Sequence, residues 1–238
     1  MRLHGNNAVS ARVLRNFGVL LFSVIFALCP GIARGADDQE QVKFRWAFGA
    51  LKQSGPEQKL EAIGSSPTTL KTGDQLKIMV EPETDCFVYV IHHNSQDAIK
   101  LLFPYSLKQF SDDYQQQKKY YIPETDRWFE LDQHTGRETF YLLASAKRLD
   151  TLEKLLDQYE HADPPRKAEI TKQVLDEIST LKKQHRELPA AAERPETIGG
   201  AVRGFEKAQG MNRPDISVMA REISVPAFLA RTFTIEHQ

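Results

Sequence analysis

The sequence predicts a mainly β fold, an antiparallel β-sandwich, with an α-helical hairpin inserted before the C-terminal strand. Three observations carry this reading. Short runs of alternating apolar and polar residues recur from Val42 to Ser145, with turn residues between them. At about Ala146 the apolar spacing changes to the threes and fours of an amphipathic helix. Alternation returns at Phe228 and runs to Glu236.

The elements follow in order. "VKFRWAFGA" puts Phe44, Trp46 and Phe48 on one face and Lys43 and Arg45 on the other, a half-buried strand. In "LKTGDQLKIMVEP", Gly73-Asp74 marks a turn, because glycine accepts the positive φ that tight turns require. Leu76, Ile78 and Val80 then alternate as a second strand, and "CFVYVIHH" makes a third. "NSQD" at Asn94–Asp97 turns the chain into "AIKLLF", which Pro104 ends. A polar, tyrosine-rich loop spans Tyr105 to Lys119. "YYIP", "RWFELD" and "ETFYLLAS" supply three more short strands, the last two joined by a turn at "HTGR". Leu149, Leu152, Leu155, Leu156 and Tyr159, then Ile170, Val174, Ile178 and Leu181, form two helical stripes broken by "ADPP". "FLARTFTIEH" sets Phe233 and Ile235 against Thr232, Thr234 and Glu236, as expected of a strand that rejoins the sheet.

The N-terminus reads differently. Residues 1–35 hold Arg2, Arg12, Arg15 and Arg34 and no acid, and "FGVLLFSVIFAL" is an apolar core of twelve residues. As a helix it would span about 18 Å, short of the roughly 30 Å hydrocarbon core of a bilayer. Ala33 and Gly35 place small residues before a cleavage at Ala36, so 1–35 is expected to be a signal peptide. Membrane contact is expected only if that segment stays uncleaved. The expected organisation is then a signal peptide at 1–35, a β-sandwich module at 36–146, a helical hairpin at 147–188, a Gly/Pro/Arg loop region at 189–227 and the returning strand at 228–238.

The whole chain of 238 residues carries a formal charge of −1. Without the four N-terminal arginines, 27 basic residues face 32 acidic ones, a net charge of about −5. That excludes a general nucleic-acid binder, which needs basic excess to neutralise phosphates. Removal of the signal takes Cys29 and leaves Cys86 as a lone cysteine without an internal disulfide.

"DCFVYVIHH" brings a cysteine and two histidines together, the side chains of a thiol protease or a zinc site. In a regular strand Cys86 and His92 lie roughly 20 Å apart, beyond the hydrogen-bond reach of a nucleophile–base pair. His92 and His93 point to opposite faces, and no CxxC or HExxH supplies further ligands. No catalytic residue, metal site or cofactor is therefore expected. Tyr105, Tyr114, Tyr120 and Tyr121 with Phe110 would either stack a sugar or peptide or cover a sheet edge, and the second reading is taken. In "ERPETIGGAVRG", Arg194 and Arg203 flank Gly199-Gly200, where glycine amides beside arginines are suited to an anion. Those four residues are the candidate ligand loop.

From Leu70 to Ser145 the chain resembles the bacterial domain-of-unknown-function family 4384. The matching pieces are "LKTGDQLKI" with Gly73 and Asp74, "DCFVYVI", "LLFP" at Leu101–Pro104, "YYIP" at Tyr120–Pro123, "TGRE" at Thr135–Glu138 and "YLLAS" at Tyr141–Ser145. The resemblance covers roughly a third of the chain and implies a small β-rich module without established catalytic residues. Related modules occur in exported proteins and beside caspase-like peptidases or kinases, so it implies an accessory role. The chain after Asp150 lies outside the pattern, and no site residue is transferred.

The expected function is an exported, periplasmic or extracellular, non-enzymatic module that binds a protein partner or a cell-envelope component. The helical arm and the Gly/Arg loop are the expected contact regions. The alternative is a hydrolase-like enzyme with a site built by the 105–119 and 194–204 loops, which would show convergent titratable groups in a concave pocket.

Overall fold

The computed structural model describes residues 41–54, 57–185, 192–195 and 213–238. The expected signal peptide and the candidate residues Gly199, Gly200 and Arg203 lie outside them.

Among the described residues, strands form two facing sheets with helices on one outer face. In the first sheet β1 (Gln41–Ser54) is the axis. Residues 44–51 of β1 pair antiparallel with β4 (Gln75–Pro82). Its opposite edge is shared: residues 49–54 pair with β2 (Glu57–Ala62) and residues 41–46 with β11 (Arg221–Pro226). β10 (Ala192–Pro195) pairs outside β11, while β7 (Tyr120–Ile122) and β8 (Phe129–Glu130) pair with the free side of β4. The second sheet runs β3 (Thr68–Leu70), β12 (Phe228–His237), β9 (Gly136–Ser145), β5 (Phe87–His93) and β6 (Ile99–Phe103). The β3–β12 pair is parallel and the others are antiparallel.

Alternation decides which side chains meet between the sheets. Phe44, Trp46 and Phe48 of β1 face Phe140 of β9 and Phe233 of β12, all within 4% exposure. Phe48 meets Phe140 and Phe233 edge-on, with centroids at 5.0 and 5.5 Å. The turn before β4 is closed by Gly73, at φ +88°, and by Asp74, whose carboxylate accepts the N–H of Lys71 at 2.8 Å and of Gln53 at 2.9 Å.

The helical hairpin forms as expected, as α2 (Asp150–His161) and α3 (Pro164–Gln184). Pro164 and Pro165 sit in the first turn of α3, where their missing N–H groups cost nothing. Both stripes dock on the outer face of the second sheet: Leu152, Leu156, Ile170, Val174 and Ile178 cover Tyr89, Ile91 and Leu143. The arm's apolar face is thus consumed inside the chain.

The region 189–227 departs from the expected loop. It contains β10, a 3₁₀ turn at Ile216–Met219, and β11. "REISVP" sends Ile223 and Val225 into the core, but the run is short and ends at Pro226. β10 has no apolar pattern at all; it is an edge strand formed by backbone pairing and ended by Pro195. The 3₁₀ turn lays Ile216 over Ala47, Leu51 and Met79 on the outer face of the first sheet.

Candidate functional site

Strand β6 ends at Phe103, and the chain leaves the second sheet through Tyr105–Lys119 to return as β7 on the first. A short helix, α1 (Gln109–Asp112), forms within it. The segment therefore closes one open edge of the sandwich. Phe103 gathers Tyr105, Tyr114 and Tyr120 around it, with centroids at 5.4, 6.1 and 5.1 Å. Tyr114 accepts the Val88 N–H at 3.2 Å and donates to the Cys86 carbonyl at 2.9 Å. Tyr120 accepts from the Gln115 N–H at 2.7 Å. Burial pushes the Tyr114 phenol well above its ordinary pKa. Tyr114 and Tyr120 thus cover the edge, as expected.

Tyr105 does not. It is 37% exposed and stands at the rim of a shallow groove of about 540 Å³. Its hydroxyl donates to the Tyr121 carbonyl at 2.7 Å. Gln109, 9% exposed, accepts the Tyr105 N–H on Oε1 at 2.7 Å. Asp112 and Lys119 are exposed on the groove, and Lys118 is held by Asp113 at 2.7 and 2.9 Å.

The far wall, at Glu124 and Thr125, is braced by Lys77 of β4. Lys77 is 5% exposed and donates to the carbonyls of Pro123, Thr125 and Arg127 at 3.3, 2.6 and 2.6 Å. Three acceptors use its three N–H bonds, and the Tyr121 ring lies 5.5 Å away. Burial lowers its pKa. Tyr121 in turn donates to Asp215 at 3.0 Å, pinning the 3₁₀ turn. Burial raises the Asp215 pKa, but the hydrogen bonds from Ser217 and Tyr121 outweigh it and leave the carboxyl below its ordinary range.

The other sequence candidates are dispersed. Arg194 lies in β10, opposite Glu222 of β11. β10 and β7 are opposite edges of the first sheet, four strand steps apart, or about 19 Å at the usual strand spacing. The structure does not bring Arg194 to the 105–119 loop. Cys86 is fully buried just before β5. His92 and His93 do point to opposite faces: His92 stacks on Phe140 at 4.5 Å and bonds Glu138 at 2.6 Å, while His93 bonds Asp97 at 2.7 Å. Among the described residues no three metal-ligating side chains converge, and no helix is long and apolar enough to cross a membrane. A second shallow groove of about 480 Å³ lies between Tyr141 and the Leu175–Lys183 face of α3. Sequence reasoning missed Gln109 and Lys77, because single polar residues in polar surroundings carry no signal of burial.

Residues 69–148 match the model of the family described as Domain of unknown function (DUF4384). The matched stretch runs from β3 to the turn before α2 and contains the groove. No curated protein and no solved structure matches the chain.

Proposed function

We propose that this chain, which carries a DUF4384 domain, is an exported, non-enzymatic accessory module that binds a protein partner or an envelope component at the groove beside Tyr105. The observation that carries this reading is the lining of the Tyr105 groove, which stays open, as does the groove beside α3. The apolar patch outside the first sheet is covered by Ile216, and that outside the second by α2 and α3. The Tyr105 groove combines an exposed aromatic ring, a buried carboxamide and charges of both signs, a lining suited to recognition. The N-terminal "FGVLLFSVIFAL" supports export.

The test is retention of an envelope component from a cell-envelope extract by the immobilised chain, compared with a Tyr105→Ala variant of equal thermal stability. Retention by the parent and its loss in the variant is the expected result. Equal retention by both places the contact elsewhere and overturns the groove reading.

A further inference from the structure

We infer that the Tyr105 groove is a subsite for a neutral glycan, an inference that rests on the reading of the chain as a binding module. The first observation is the Tyr105 ring. It is the large apolar side chain that stands exposed among the described residues. It is also fixed at both ends: Phe103 packs edge-on at 5.4 Å and the hydroxyl is tied to the Tyr121 carbonyl. A ring already held in place loses little conformational freedom when a ligand stacks on it. The C–H face of a pyranose is the flat apolar surface that such a ring accepts.

The second observation is Gln109. The Tyr105 N–H can only donate, so the atom facing it is the carboxamide oxygen, which fixes the amide orientation. Its N–H₂ group lines the groove and is open to it, while the rest of the side chain is buried. A donor that opens on the groove is free to take a ligand acceptor placed there. Asp112 supplies an acceptor and Lys119 a donor along the same groove. Sugar hydroxyls donate and accept at once, and a ring with adjacent hydroxyls answers all three groups.

Two features select against other ligands. The outward carbonyl of β7 at Tyr121 is already taken by the Tyr105 hydroxyl, and Pro123 follows that three-residue strand, so a peptide has no edge to extend. The acids Asp112, Asp113 and Glu124 outnumber the bases Lys118 and Lys119, so the groove does not select a polyanion.

The test titrates the purified full chain with chitotetraose, cellotetraose and maltotetraose by calorimetry, with thermal melts of every variant. Saturable binding of at least one is expected. Tyr105→Ala and Gln109→Glu, which keeps the acceptor and removes the donor, should each weaken it about tenfold. Tyr105→Phe keeps the ring and should retain most of the affinity. If Tyr105→Ala alters the melt, the near-isosteric Gln109→Glu decides. No binding of any of the three at millimolar concentration, or binding that both substitutions leave unchanged, overturns the inference. If no sugar binds but the chain retains an envelope protein that Tyr105→Ala releases, the glycan inference fails and the binding-module reading stands. If neither is captured, both fail.

Discussion

The hydroxyl of Tyr89 in β5 donates to the Glu153 carboxylate in α2 at 2.5 Å and accepts the Leu149 N–H at 3.1 Å. Arg148 clamps the same carboxylate through Nε and a terminal nitrogen. Its guanidinium lies 4.9 Å from the Phe110 ring, so α2 is locked both to the sheet and to the tyrosine-rich segment. Glu153 is 8% exposed, and a charge so placed is tolerable only because it is paired. The helical arm is therefore docked by a specific polar contact as well as by its apolar stripe.

Tyr89→Phe is expected to destabilise the chain by about 1–3 kcal/mol, because it leaves the Leu149 N–H without its acceptor and leaves the Glu153 carboxylate to Arg148 alone. Chemical denaturation measures this. A loss indistinguishable from zero would mean that the contact does not hold α2.

Cys86 should be inert to a thiol reagent in the native state and react on unfolding. Burial pushes its thiol from 9.0 up to about 11. A raised folded pKa contributes stability that is fully present below about pH 9 and lost as the pH rises to about 11. The size of that contribution is about 2–3 kcal/mol. Cys86→Ala removes the titrating group, so its stability should fall less steeply than the parent's across that window. Parallel curves, or rapid labelling of the native thiol, would contradict a buried structural role.

Glu138 is 6% exposed. Burial opposes its ionisation, but the His92 hydrogen bond and charge, with the Ser95 N–H, outweigh burial and hold the carboxyl below its ordinary value. A depressed folded pKa contributes stability above the unfolded value of 4.5 that is lost as the pH falls through the depressed value. His92→Phe keeps the stack on Phe140 and removes the partner. It should cost about 1–3 kcal/mol at neutral pH. The gap to the parent should shrink on acidification, since a protonated Glu138 no longer needs the imidazole. A gap that stays constant down to the acid transition would sink this assignment.

What was legible in the sequence were the elements whose side chains report a buried face. β1, β4, β5, β9 and β12 alternate, and Gly73, Pro104 and Pro123 punctuate them. The helices show their stripe because it packs on a flat sheet. β2 and β10 were invisible, since backbone pairing at an edge needs no apolar pattern. Lys77 occupies a position where alternation places a solvent-facing residue, but the 123–127 segment folds over it and turns its ammonium into a brace. The groove was half legible. The tyrosines announced an aromatic surface, but which of them is buried depends on how the 105–119 segment bridges the two sheets. Arg194 was misplaced because its strand pairing is set by β11, which lies about thirty residues further along.

The folded unit extends beyond the family-matched residues 69–148. β12 lies between β3 and β9 and pairs with β9 from Phe228↔Ser145 to His237↔Gly136. Without it the central strand β9 loses its backbone partners on one side, and Phe233 and Ile235 leave the core. The direct measurement is circular dichroism with a thermal melt of residues 36–146 beside the full chain. A cooperative transition is expected in the full chain and none in the fragment. A stable, β-rich 36–146 fragment would show that the returning strand is dispensable and would contradict the architecture on which the groove rests.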